Sequence, residues 1–287
     1  MFGGTGNTCR RPYRVYNKWF KHEKIDQLLK QSRDAEHFFR RSGITFNIQG
    51  NNTETEHLIP FDIVPRILSG KEWGFLERGL KQRAIAINMF LSDIYHKQEI
   101  IRAGKFPFEL VKNNTAFLSK MVGFSPPGNI YTHVLGLDIV RVSDKQFFVL
   151  EDNVRTPSGV SYMLENRETM LRMFPELFSE ISIKPVKNYP RELESCLAAS
   201  KPKFSKSSPA IAVLTPGLFN SAYYEHASLA EQMGVELVES QDVRIVNGKV
   251  AVRTTQGYDE LDVLYRRIDD QFLDPLNFNP NSLISGG

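Results

Sequence analysis

Asp138, Glu151 and Asn153 are the residues whose types and spacing speak most directly of chemistry. Leu137 to Val142 and Gln146 to Asp152 are β-like runs, and Ser143-Asp144-Lys145 between them has the composition of a turn. A hairpin that pairs Val142 with Phe147 puts Asp138 directly across from Glu151. Asn153, two residues on, then shares their face. Carboxylates placed opposite each other on a sheet repel. A hard divalent cation removes that cost, and magnesium commonly takes one or two carboxylates together with substrate phosphates. The asparagine adds an oxygen without adding charge. Slipping the register by one residue sends one strand's side chains to the other face. The alternative reading is a solvent-facing hairpin whose acids are simply exposed.

The chain continues Val154-Arg155-Thr156-Pro157-Ser158-Gly159, a composition that marks an exposed loop at a sheet end, where substrates are held. Arg155 has the planar fork that clamps a carboxylate or phosphate; an ion pair with Asp152 or Glu151 is the alternative. Residues Tyr162 to Arg172 then read as a helix. Further on, Ala210 to Thr215 suits a buried strand. A turn over Pro216 to Ser221 leads into a helix from about Ala222 to Met233, ended by Gly234. Val235 to Glu239 reads as a second strand, which completes a βαβ unit. The turn after the first strand of such a unit faces ligands, so Thr215, Asn220 and Ser221 are candidate substrate contacts. Ordinary turn and helix-capping chemistry is their alternative. Asn247-Gly248 signals a tight hairpin, and Leu261 to Ile268 a closing strand.

Other elements must position these groups. Ile25 to Arg41 reads as an amphipathic helix, and Thr45 to Gln49 as a strand end that breaks at Gly50. Lys71 to Ile101 is the clearest helix, with Trp73, Leu76, Leu80, Ile87, Phe90, Leu91 and Ile94 on one stripe. The expected organisation is an irregular segment over 1–20, a helical part with the hairpin over 21–200, and the βαβ unit with its hairpin over 201–287. The Ser-, Pro- and Lys-rich stretch around Lys201 marks the boundary. This is an α/β chain of α+β character. Its 287 residues, 41% hydrophobic and 24% charged, exclude a disordered or fibrous chain. Thirty-six Lys and Arg against 33 Asp and Glu leave +3, with no basic cluster that points to nucleic acid. No apolar run is long enough to cross a bilayer, and no secretory signal stands at the amino end. Cys9 and Cys196 are too few for a disulfide framework. A cytoplasmic, membrane-free protein is expected.

The string GLDIVRVSDKQFFVLEDNVRTPSGVSYMLENRETMLRMFPELF resembles the circularly permuted ATP-grasp family, type 2. So do IPFDIVPRIL, EWGFLERGLKQRAIAINMFLSDIY, LTPGLFNSAYYEHASLAEQMGVELVE and LYRRIDDQFLDPL. The resemblance runs from about residue 10 to the carboxyl end. Its relatives include glutathionylspermidine synthetase, which joins a carboxylate to an amine using ATP. The resemblance implies an ATP-grasp-like fold and an ATP-dependent carboxylate–amine ligase that works through an acyl phosphate, with ATP and Mg2+ as cofactors. Small-molecule or peptide carboxylates and amines are the implied substrates. It places Asp138, Glu151 and Asn153 at magnesium-ligand positions, Thr156 and Ser158 at contacts to the acid substrate, and Arg266 facing ATP phosphates. Two departures stand out. Gly136 occupies a position where the synthetase pattern has arginine. The family's lysine and glycine-rich ATP clamp also has no counterpart here, so a partial chain, or one completed by a complementing polypeptide, is expected. A non-catalytic nucleotide-binding protein and, more distantly, a metal-dependent nuclease are the alternatives.

Overall fold

The computed structural model describes residues 8–41, 43–47, 56–58, 61–143, 146–205 and 208–273. In chain order its elements are α1 (Arg14–His22), α2 (Ile25–Arg41), β1 (Thr45–Asn47), β2 (Glu56–Leu58), α3 (Gly70–Ile94), α4 (Glu99–Arg102) and α5 (Glu109–Lys112). There follow β3 (Gly136–Arg141), β4 (Phe147–Asn153), α6 (Val160–Met173), α7 (Pro175–Glu180), α8 (Tyr189–Ala199), β5 (Ile211–Leu214) and α9 (Tyr223–Met233). The last are β6 (Glu236–Val238), β7 (Val243–Val246), β8 (Lys249–Thr254), β9 (Gly257–Glu260), β10 (Val263–Arg266) and α10 (Asp270–Leu273). The chain divides into two compact units, one formed by residues 1–66 with 158–287 and the other by 67–157. The boundary expected near Lys201 falls inside the first unit, where α8 packs on α9.

In the first unit the amino-terminal segment is not irregular throughout. Residues 1–7, which carry GGTG, lie outside the described residues, but α1 begins at Arg14. Tyr13, Tyr16, Trp19 and Phe20 recur at helical spacing, so their rings gather on one side. Tyr16 lies 5.4 Å from Trp19 and 5.9 Å from Phe20, and Trp19 meets Phe174 edge-on at 5.4 Å. The Tyr16 hydroxyl donates to the Ile63 carbonyl at 3.0 Å. Helix α2 forms where the sequence places it and buries Leu28, Ala35 and Phe39.

The βαβ unit also forms where expected. Strand β5, buried at all of its residues, pairs in parallel with β6 on one side and β10 on the other. Helix α9 ends on Gly234, whose φ of 69° is the left-handed cap that glycine adopts without strain. Asn247 and Gly248, at φ of 52° and 75°, make the tight turn between antiparallel β7 and β8. Ala212, Leu214, Val238, Val252 and Ile268 form a core that joins the parallel strands to β8.

The second unit is built on α3. Its start is a capping box: Ser69 Oγ accepts the Glu72 N–H at 3.2 Å, and Glu72 accepts the Ser69 N–H at 2.7 Å. Leu76 and Ile94 of the expected stripe are buried, while Trp73 is exposed. The helix stops at Ile94 rather than near Ile101. Gln98 turns left-handed at φ 54°, and the Asp93 carboxylate accepts the N–H groups of Glu99 and Ile100, which start α4 as a separate turn. Strands β3 and β4 form an antiparallel ribbon.

Candidate functional site

The hairpin brings the two acids together by a route the sequence did not indicate. Arg141, not Val142, faces Phe147, so the pairing next to the turn is one residue away from the expected one. Asp144 and Lys145 of that turn lie outside the described residues. An irregularity at Leu150 then adds a residue to β4, and beyond it Asp138 faces Glu151 and Gly136 faces Asn153. Such bulges re-aim side chains and recur beside active sites. Asp138, Glu151 and Asn153 are all exposed on one side of the ribbon, and the Asn153 amide donates to Glu151 Oε1 at 3.0 Å.

The opposite side of the ribbon is tied to α3. Asp152 accepts from Arg83 Nε at 2.5 Å and Nη2 at 2.6 Å, and Arg141 pairs with Glu72 at 2.5 Å. Burial raises the Glu72 carboxyl, but hydrogen bonds from Ser69 and Arg141 outweigh it and hold the group down at about 2. Asp152, one alternative partner for Arg155, is therefore held by Arg83. Adjacent acids thus play different parts, with Asp152 fastening the ribbon while Glu151 points away with Asp138. Among the described residues no ion pair neutralises Asp138 or Glu151, and no group of three or more His, Cys, Asp or Glu side chains is placed to hold a metal. Two facing carboxylates and an amide oxygen suit a hard cation that keeps water or phosphate oxygens in its other positions.

Asn88 of α3 steadies the approach to β3. Its Oδ1 accepts the N–H groups of Tyr131 and Thr132 at 2.8 and 3.1 Å, and Thr132 Oγ1 donates to the Val154 carbonyl at 2.8 Å. These contacts fix the start of the loop that carries exposed Arg155 and half-buried Thr156. Gly136 is required by the same loop, since a Cβ there would stand 2.7 Å from Pro157 Cβ. No side chain fits where the synthetase pattern has arginine. Gly136→Ala is accordingly expected to displace the loop and cost about 1–3 kcal/mol, as overpacking does; urea denaturation measures it, and an unchanged midpoint would refute the close approach.

In the first unit Ser158 is exposed and begins the turn into α6. That turn is held from α9. The Glu225 carboxylate, 1% exposed, accepts the N–H groups of Gly159 at 2.7 Å and Ser161 at 3.0 Å. Arg267 Nη2 stands 3.3 Å from the same carboxylate, and its Nη1 donates to the Tyr265 hydroxyl at 3.0 Å. A carboxylate is well matched to the positive end of a helix. The next residue, His226, has its Nδ1 2.9 Å from Thr215 Oγ1, which also accepts the Gly217 N–H at 3.2 Å.

Thr215 is therefore buried and committed to its turn, as the alternative reading had it, and offers no surface to a substrate. Asn220 Oδ1 accepts the Ala222 N–H at 2.9 Å and leads the chain into α9, while Ser221 is exposed beside it. Arg266 ends β10 opposite Leu214, half-buried, with Nη1 donating to the Ile268 carbonyl at 3.2 Å. Arg266 and the Thr215–Ser221 turn thus share the carboxyl-terminal edge of the parallel sheet. Glu225, His226 and Arg267 were not anticipated. For Glu225 and His226 the signal was there, because they stand on the same stripe of α9 as buried Leu229 and Ala230.

Burial, and then the nearby Arg267 guanidinium, push the His226 imidazole down to about 3. Its folded value lies below the unfolded one, so the neutral ring's contribution is intact above about pH 6.5 and is lost as pH falls toward 3. Stability is expected to drop between pH 6 and 4 with a slope approaching about 1.4 kcal/mol per pH unit from this group. His226→Asn, followed by urea melts across that range, should flatten the slope; an unaltered slope would contradict a buried neutral ring.

Comparison with known proteins decides the family. The family model described as "A circularly permuted ATPgrasp" matches residues 65–286. The chain belongs to the circularly permuted ATP-grasp family. The matching model is of type 1. Among relatives, an uncharacterized protein of Synechocystis sp. is 46% identical over 84% of this chain and 50% of its own length. One from Mycobacterium tuberculosis is 43% identical over 99% of this chain and 50% of its own. A putative glutamate–cysteine ligase of Frankia alni is 41% identical over 84% of this chain but only 28% of its own. This ATP-grasp chain thus spans about half the length of the first two. In structure it is similar to a glutathione synthetase-like effector of Globodera pallida, with a TM-score of 0.54 and 13% identity over 87% of this chain and 59% of that one. That likeness bears on the fold alone. Among the described residues no helix is long and apolar enough to cross a membrane.

Proposed function

We propose that this chain binds magnesium-ATP on the outer side of the β3–β4 ribbon and serves an ATP-dependent carboxylate–amine ligase. The observation that carries the reading is the facing pair Asp138 and Glu151, aimed outward while Asp152 between Glu151 and Asn153 is turned the other way. Glu151 and Asn153 would hold the cation, with Asp138 as a further oxygen ligand. Magnesium in such a site neutralises charge that develops on transferring phosphoryl oxygens. Arg155, at the end of the ribbon, orients a carboxylate or phosphate through its fork, and Thr156 offers its hydroxyl to the acid substrate. In the first unit Ser158, Asn220 and Ser221 are proposed substrate contacts, and Arg266 a phosphate contact.

In the reaction a carboxylate oxygen attacks the γ-phosphorus and ADP leaves. The nitrogen of an amine then attacks the acyl carbon, inorganic phosphate leaves, and an amide remains. The ligase named among the relatives supports this chemistry without fixing either substrate. The test is calorimetric titration with ATP, with and without Mg2+, followed by trapping with hydroxylamine in the presence of carboxylic acids. Magnesium-dependent binding and an acyl hydroxamate are expected. Binding without hydroxamate would favour a non-catalytic nucleotide-binding role, and ATP binding indifferent to magnesium would overturn the reading.

A further inference from the structure

We infer that the β3–β4 ribbon is an unfinished sheet, completed by a strand from the part of the family's longer members that lies outside the stretch matched by this chain. Among the described residues no third strand pairs with β3 or β4. A two-stranded ribbon is marginal in water by itself, and each free edge presents unpaired N–H and C=O groups that accept a further strand. The Leu150 bulge disturbs β4, whereas β3 runs regularly from Gly136 to Arg141 without proline, which makes β3 the better edge for pairing.

The surface around the ribbon is apolar to match. Leu150 is 70% exposed and Phe148 50%, although both belong to a strand. On α3, beside the inward stripe, Phe75, Ile85 and Met89 make a second stripe that is 56–67% exposed. A groove lined by Phe75, Ile139, Phe148 and Val149 connects helix and ribbon. Large apolar side chains gathered in one place mark an interface, unlike ones scattered singly. The occupant is indicated by the relatives, of whose length this chain spans about half. Covering the apolar side calls for a segment with strand-like alternation and aliphatic or aromatic residues on one face. This inference does not depend on the ribbon binding a nucleotide.

The test compares this chain with the intact Synechocystis relative in the absence of nucleotide. Hydrogen exchange at the amides of 136–141 is expected to be at least ten-fold slower in the relative's matching strand. Leu150→Lys should leave this chain's thermal midpoint unchanged, since the position is open, while lysine at the aligned position of the relative should lower its midpoint. Equal exchange in the two proteins would overturn the inference. A lysine tolerated equally well in both would do the same. So would light scattering that shows this chain as a dimer with 136–141 already protected, because a second copy would then be the occupant.

Discussion

Glu151→Ala is expected to weaken magnesium-dependent ATP binding by on the order of 100-fold, because loss of even a supporting residue around a metal costs about 10–100-fold. The contrast with its neighbour makes the experiment decisive. Asp152→Ala removes the partner of Arg83 on the other side of the ribbon, a solvent-screened ion pair, and should leave nucleotide affinity nearly unchanged. If the register were shifted by one residue, the two variants would exchange phenotypes. Calorimetric titration of both with a non-hydrolysable ATP analogue, with and without Mg2+, separates the cases. Wild-type affinity in Glu151→Ala would remove the carboxylate pair from the site.

The largest effect on stability is expected at Glu225. Its carboxylate takes two backbone N–H groups at the start of α6 and faces Arg267, which is only 6% exposed. Glu225→Ala leaves that guanidinium without the carboxylate and strips both amides of their acceptor. Breaking a buried ion pair in this way costs about 3–5 kcal/mol. For a chain of this size that corresponds to a fall in Tm of roughly 6–20 °C. Glu225→Gln keeps an acceptor and should lose less, which distinguishes hydrogen bonding from charge. A loss below about 1 kcal/mol in Glu225→Ala would mean that α9 does not hold the Gly159 turn.

The expected Asp138–Glu151 pairing was right, yet two displacements cancel in it. The sequence places Phe147 opposite Val142; the structure places it opposite Arg141, and the Leu150 bulge restores the register before the acids are reached. Nothing in Phe147-Phe148-Val149-Leu150 announces the extra residue, because four apolar neighbours carry no alternation to be broken. Thr215 shows the other kind of blindness. Its composition fits a ligand-facing turn, but His226 of α9 takes its hydroxyl inward. The break in α3 likewise depends on Asp93, whose side chain competes for the backbone of the residues that follow.

By itself the sequence determined the features governed by near neighbours: α2, α9 with its Gly234 cap, the Asn247-Gly248 turn, and the motifs that place the chain in its family. In these, steric limits and hydrogen bonds act over a few residues, so composition and spacing are sufficient. Only the tertiary structure decided which of two adjacent acids points outward, which hydroxyl is buried, and that residues 67–157 form a unit of their own. Those outcomes depend on partners far along the chain, such as Glu225 and Arg267, 42 residues apart, or Arg83 and Asp152, 69 apart. A charge read in its local context looks solvated; burial and a distant counter-charge give it its role.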